Sequence, residues 1–362
     1  MNRLFVVIAI SVLTIACSCT GKLHRTNNPD GNNRSTFAIK RGTNIAHWLS
    51  QSNRRGAERA AFFTQKDVDY IKAAGFDHIR LPVDEEQLWD STGKREDEAF
   101  QLLQDCMTWV QQAGLKVVLD LHIIRSHYFN AKENRLWTVP EEQDKLIRLW
   151  KDLSVAVRQW PNSMLAYEFM NEPVAEQAEQ WNRLLNRVSD SIRSWEGERT
   201  LVIGSNMWQS VNTFDQLRVP AGDKNILLSF HFYEPFHLTH YKASWTELKD
   251  FTGQVQYPGQ IVVNGKPGAE SRTYNRDTLE HMMAKAFRLA DSLRLPLYCG
   301  EFGVIDAAPE EAKVAWYRDM IAIFEKRNVA YANWNYKAGS FGIVDAEMNP
   351  DNTLLSILTR KD

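Results

Sequence analysis

Short apolar or β-branched runs alternate with longer segments of helical period along this chain, and the alternation recurs eight times. A strand followed by a helix-length connection pairs in parallel with the next, because only a crossover returns the chain to the same end of a sheet. Eight such units specify a single (β/α)8 TIM barrel, an α/β fold, more firmly than any one strand assignment does. Strands are expected at 37–45, 77–81, 116–122, 166–171, 200–204, 226–231, 297–301 and 330–334. Helices are expected at 66–74, 98–113, 141–158, 176–195, 309–327 and 353–358, several with apolar residues at i, i+3, i+4 spacing. Gly75 and Gly114 supply stop signals, and Pro309 followed by two acids suits a helix start. One interval is irregular. Residues 234–275 contain Pro235, Gly253, Pro258, Gly259, Gly265, Pro267 and Gly268 and form a long loop after the sixth strand. It falls on the face where such insertions build ligand clefts.

The first 36 residues stand apart from that pattern. Residues 1–16 read as a signal peptide, with Arg3 as the positive flank and an apolar run at 4–16 too short for an ordinary membrane helix. The segment Leu13-Thr14-Ile15-Ala16-Cys17 resembles a bacterial lipoprotein signal, although its Leu sits one place early. Export is therefore expected, to the periplasm or outer membrane through a lipid on Cys17, with plain secretion as the alternative. Residues 17–36, rich in Asn, Gly and Thr, read as a flexible tether, and residues 37–362 as the one folded domain. A domain of that size buries enough core to need no metal or disulfide staple. Cys106 and Cys299 are expected on a helix and a strand, free and buried. A formal net charge of -2, with both signs interleaved, argues against a nucleic-acid partner. The 12 tryptophans suit stacking on uncharged rings as well as core packing.

Polar side chains close the expected strands. Asn44 and His47 follow the first, Arg80 lies in the second, His122 ends the third, and Asn171 and Glu172 end the fourth. His231 and Tyr233 follow the sixth, Glu301 ends the seventh and Trp334 the eighth. A carboxylate at the C-terminal end of a barrel strand reads as catalytic. Two carboxylates on different strands can act on one bond, as glycoside cleavage requires. Singly, each residue has a plainer role: Glu172 as a helix N-terminal charge, Arg80 as the partner of a core acid, His122 as a core histidine. Eight of them at strand ends are not explained that way. Glu168 lies four residues before Glu172 and is expected inside the barrel, paired with a basic group or modulating the acid. Trp109, Trp150, Trp160, Trp181, Trp195 and Trp316 fall in helical segments; Trp48, Trp89, Trp137, Trp208, Trp245 and Trp334 follow strands.

With these residues in place the chain resembles glycoside hydrolase family 5, the cellulase-like retaining β-glycosidases, from about Ile39 to Leu358. The resemblance implies Glu172 as acid/base and Glu301 as nucleophile. It implies that Asn171 binds the sugar 2-hydroxyl, that Arg80 and Tyr233 orient Glu301, that His122 and His231 line the site, and that Trp334 is the sugar platform. His47 and Trp208 are further expected substrate contacts. It implies no cofactor and no metal, and a monomer acting on a β-linked polysaccharide or oligosaccharide. Endo-acting hydrolysis of β-1,4-glucan is the expected reaction; β-mannan, xyloglucan, xylan or an exo-acting β-glucosidase role stay open. Rival chemistries lack their signatures. His122 and His127 do not have metal-ligand spacing, Gly-x-Ser-x-Gly is absent, and the run at 259–266 has one residue too many for a phosphate loop. A non-catalytic glycan binder would need neither Glu172 nor Glu301.

Overall fold

In a computed structural model that describes residues 37–262 and 272–360, eight strands close on one another. They are β1 (Arg41–Asn44), β2 (His78–Asp84), β3 (Lys116–Ile123), β4 (Leu165–Glu168), β5 (Thr200–Gly204), β6 (Ile226–Phe232), β7 (Leu297–Phe302) and β8 (Ala330–Asn333). Sequential strands pair in parallel and β8 pairs with β1, so the sheet has no edge. The signal peptide, Cys17 and tether lie outside the described residues.

All eight expected strands are present, with shifted ends. The expected run 37–45 contracts to β1, and the run 166–171 leaves the ladder after Glu168. Beyond Glu168 the chain still touches β3, Asn171 N–H donating to the Leu121 carbonyl at 3.3 Å, before Glu172 turns away at φ 46 in left-handed backbone. The main helices are α1 (Gln65–Ala74), α2 (Asp97–Gln112), α3 (Pro140–Val157), α4 (Ala178–Trp195), α5 (Ala284–Leu293), α6 (Glu310–Arg327) and α7 (Asn352–Leu358). Their ends follow local chemistry. Thr64 and Asp67 form a capping box at the start of α1, and Gly75 at φ 109 ends it. Pro140 opens α3, while α6 carries Glu310 and Glu311 in its first turn and Lys326 and Arg327 in its last, opposing the helix dipole.

Two intervals differ from the sequence reading. No full helix follows β5; the chain instead makes one turn at Asn206–Gln209 and a 3-10 helix at Val211–Gln216. Met207, Trp208 and Gln209 all have positive φ, which stops helix propagation there. The long interval after β6 is not featureless either. It holds a short turn at Phe236–Thr239 and a small antiparallel sheet of Gln254–Val255, Gly259–Val262 and Thr273–Tyr274.

The parallel strands are buried on both faces, which divides their residues into two populations. Outward residues such as Ile79, Leu81, Val117, Leu119 and Tyr167 pack against the helices in the larger core. Each fully buried aliphatic side chain there contributes about 1.5–3 kcal/mol. Inward residues at the base, Val118, Ala166, Val202, Leu227, Tyr298 and Ala330, form a separate apolar plug with Phe37 beneath it. Cys106 in α2 and Cys299 in β7 are buried and free. One close approach inside the barrel is checkable. A Cβ on Gly42 would lie 2.3 Å from the His78 ring, whose Nε2 is 3.2 Å from the Tyr298 hydroxyl. Gly42→Ala should therefore lower stability by about 1–3 kcal/mol, read as a lower urea midpoint with an unchanged slope.

Candidate active site

Strand periodicity carries the inward face from apolar to charged within two residues. On β3 the inward series is Val118, Asp120, His122, and on β4 it is Ala166, Glu168. The polar layer therefore sits directly above the plug, at the C-terminal mouth.

Arg80 organises that layer. It is fully buried, and its guanidinium reaches five side chains from four strands and their ends. Nε and Nη2 fork onto Glu168 at 2.7 and 3.1 Å. Nη1 donates to Glu301 Oε1 at 2.6 Å and to Asn44 Oδ1 at 2.9 Å. Nη2 also donates to Asn171 Oδ1 at 2.8 Å and lies 3.0 Å from Asp120 Oδ2. One cation facing three buried acids cannot keep all of them ionised cheaply. Burial pushes Asp120 up to about 7 despite Arg80, and raises Glu168 as well.

Glu172 and Glu301 meet across the mouth, with one oxygen of each and one His231 ring nitrogen all within 4.8 Å of one another. His231 Nδ1 is 2.8 Å from Glu172 Oε1, and the Tyr233 hydroxyl donates to Glu301 Oε2 at 3.0 Å. The two carboxyls differ in surroundings. Burial, and then the charge of Glu301, raises Glu172 well above the usual carboxylate range. Burial also raises Glu301, but Arg80 and Tyr233 pull it back toward the ionised form. Burial holds His231 well below its ordinary value and His122 down to about 4, so both rings are neutral near pH 7. The trio Glu172, His231, Glu301 is spaced to ligate a cation, yet the guanidinium bonded to Glu301 and the proton favoured on Glu172 oppose one.

The remaining expected residues line the mouth. Trp334 stacks on His122 at 5.6 Å with 10° between ring planes, and His47 meets its edge at 6.4 Å. Trp208 lies further out, 43% exposed, its indole N–H bonded to the Phe129 carbonyl at 3.0 Å. Two aromatic rows leave the site: His122, Phe129, Tyr128 on one side chain path, and Tyr233, Phe341, Trp245 on another. Trp245 is 56% exposed. Trp48 and Trp89, which follow strands and could serve either in packing or in ligand contact, are fully buried packing residues. Asp120 and Gln209 were not singled out from sequence. Asp120 had a signal, because it lies two residues before His122 and faces the same way, its Oδ2 2.6 Å from His122 Nδ1. Gln209 had none, since a left-handed turn leaves no periodicity to read.

Comparison with known proteins agrees with this geometry. The cellulase family, glycosyl hydrolase family 5, matches residues 39–340. Endoglucanase C of Acetivibrio thermocellus is 31% identical over 343 residues, covering 90% of this chain and 99% of its own. Cellodextrinase A of Ruminococcus flavefaciens is 26% identical over 298 residues, covering 81% of this chain and 84% of its own. Among solved structures, Thermotoga maritima Cel5A in complex with mannotriose superposes with a TM-score of 0.74 at 26% identity, covering 90% of this chain and 98% of that one. The cellobiose complex of the same enzyme gives 0.74 at 27%, covering 88% and 97%. A match over most of the barrel, together with the strand-end carboxyl pair, makes this chain a glycoside hydrolase of family 5.

Proposed function

We propose that the chain is a retaining, endo-acting β-1,4-glucanase in which Glu301 is the nucleophile and Glu172 the acid/base. The observation that carries the reading is the approach of the two carboxyls to within 4.8 Å, oxygen to oxygen. Retaining enzymes hold their carboxyl groups about 5–5.5 Å apart, whereas inverting ones leave roughly 6.5–9.5 Å for a water. Glu301, ionised beside Arg80, attacks the anomeric carbon while Glu172 gives its proton to the departing glycosidic oxygen. Glu172 then takes a proton from water, which attacks the glycosyl-enzyme and frees Glu301. In this reading Asn171 binds the sugar 2-hydroxyl and Trp334 seats the ring, supported by the bond from Arg80 to Asn171 and by the contacts of Trp334 with His122 and His47.

Relatives named as endoglucanases support β-glucan as substrate, and the aromatic rows support a groove that holds several sugars. A β-mannan reading draws on the similar Thermotoga enzyme in complex with mannotriose. Product analysis on β-glucan, mannan, xyloglucan and xylan decides between them, with β-glucan expected to be hydrolysed fastest. Endo action should drop the viscosity of carboxymethylcellulose well before reducing ends accumulate. We also propose export and lipid attachment through Cys17; palmitate label should enter the expressed protein and be absent from Cys17→Ala.

The carboxyl roles give separable outcomes. Glu301→Gly should abolish hydrolysis, and azide should restore turnover with release of the α-glycosyl azide. Glu172→Gln should cost roughly 10²–10⁴-fold on substrates with poor leaving groups and far less on activated aryl glycosides. An equal loss on both kinds would show the acid to be misassigned. In the wild type, kcat/KM should rise with pH as Glu301 ionises and fall as Glu172, raised by burial and by Glu301, loses its proton. The upper limb should vanish in Glu172→Gln, because an amide has no proton to lose.

A further inference from the structure

We propose that Gln209 is a positioning residue that sets the direction of the Glu172 carboxyl, and that the left-handed turn after β5 exists to deliver it. The inference rests on Glu172 as the acid/base. Gln209 is 1% exposed and lies under the site rather than on the rim. Its Oε1 accepts the Glu172 backbone N–H at 3.1 Å, and its Nε2 donates to Glu168 Oε1 at 3.1 Å. Glu172 occupies φ 46, so its backbone does not rest in its own favoured region and must be held by its neighbours. The holder occupies the same kind of backbone: Met207, Trp208 and Gln209 lie at φ 56, 61 and 51.

The turn grips the chain after Glu172 at two further points. Trp208 N–H donates to the Pro173 carbonyl at 3.3 Å, and the Asn206 side-chain amide both accepts from and donates to Ala175 at 2.8 Å. Room for Gln209 is made by Gly204, where a Cβ would fall 2.6 Å from the Gln209 side chain. The amide also has a required orientation. Glu172 offers an N–H and Glu168 a carboxylate, so the residue between must accept on one end and donate on the other. At this length Gln meets both whatever the pH, whereas Glu can do so only while protonated. A line of bonds then joins the two proposed catalytic carboxyls: Glu301, Arg80, Glu168, Gln209 and the Glu172 backbone.

Two substitutions test this against a purely structural role, with Glu172→Gln and the wild type as references. Gln209→Met keeps the bulk and removes both bonds. Its kcat/KM should fall roughly 10- to 100-fold on aryl β-cellobiosides with poor leaving groups, and no more than about threefold on the 2,4-dinitrophenyl substrate, which needs no proton. Gln209→Glu places a titratable carboxyl among Glu168 and Glu172 from β4 and its end, Arg80 from β2, Asp120 from β3 and His231 from β6. Protonated, it can donate to Glu168 and accept from Glu172; ionised, it repels Glu168. Its activity should approach the wild type at acid pH and fall to the level of the Met variant as pH rises. The proposal is overturned if Gln209→Met loses equally across all leaving groups or loses nothing, or if Gln209→Glu keeps the wild-type pH profile. Should Gln209→Met fail to fold, the pH profile of Gln209→Glu decides alone. A wild type inactive on every aryl cellobioside, or a Glu172→Gln variant without leaving-group dependence, would instead defeat the function proposed above.

Discussion

A single buried guanidinium sets the terms for the rest of this barrel. Arg80 has no solvent to fall back on, so its five N–H donors must be met by groups that the strands carry to one level. They arrive from β1, β3, β4 and β7: Asn44, Asp120, Glu168 with Asn171, and Glu301. A slip of one residue in any of these strands would turn its polar side chain outward into the helical layer and bring an apolar one against the charge. Closing the barrel in this register and satisfying Arg80 are thus one requirement. An apolar layer of similar volume would pack there at less electrostatic cost, which marks the polar layer as serving chemistry rather than stability.

The same cation breaks the symmetry between the two carboxyls at the mouth. Both are buried and both are pushed toward the protonated form. Only Glu301 touches Arg80, and only Glu301 receives the Tyr233 hydroxyl. Glu172 has a neutral histidine beside it instead. One proton shared between two acids therefore settles on Glu172 because of what is absent from its side of the site as much as what is present. His122 extends the logic. Kept neutral by burial and tied to Asp120, it offers Trp334 a flat uncharged face to stack on.

How much of this could be read from the chain depended on whether periodicity recorded it. The barrel was legible because strand-like runs recur eight times with helix-length connections between most of them, and Gly75 and Gly114 end helices where their backbone requires. The polar residues at strand ends were legible because strand alternation tells which side chains share a face. Glu168 could be placed inside the barrel by that rule, and it is found forked by Arg80. Asp120 obeys the same rule beside His122, but a buried acid inside Leu119-Asp120-Leu121 matches no motif that would mark it. The turn after β5 obeys no period at all. Three successive non-glycine residues in left-handed backbone are stabilised by tertiary bonds to Pro173, Ala175 and Glu172, none of which local sequence encodes.

Many of the left-handed residues fall into two groups, one at each end of the barrel. Toward the N-terminal face, Gly75, Gly114, Arg294 and Asn328 lie where α1, α2, α5 and α6 finish, and there the conformation ends a helix and points the chain into the next strand. At the mouth the positions are His47 and Gln51 after β1, Glu172 after β4, Met207 to Gln209 after β5, and Ala338 with Gly339 after β8. None of these ends a helix, and each borders a residue of the site. Gly339 comes so close to His47 that a Cβ would sit 2.7 Å from the ring, and Gln51 carries its amide to within 3.3 Å of His122 Nε2. A non-glycine residue held this way costs about 1–3 kcal/mol; the base carries that strain at Arg294 and Asn328, and the mouth carries it at more positions. That strain is offset by burial in the apolar plug and in the helix-facing core. The barrel thus separates its tasks along its own axis: stability is built at the bottom and in the shell, while left-handed backbone ends helices at the base and helps to aim side chains at the mouth.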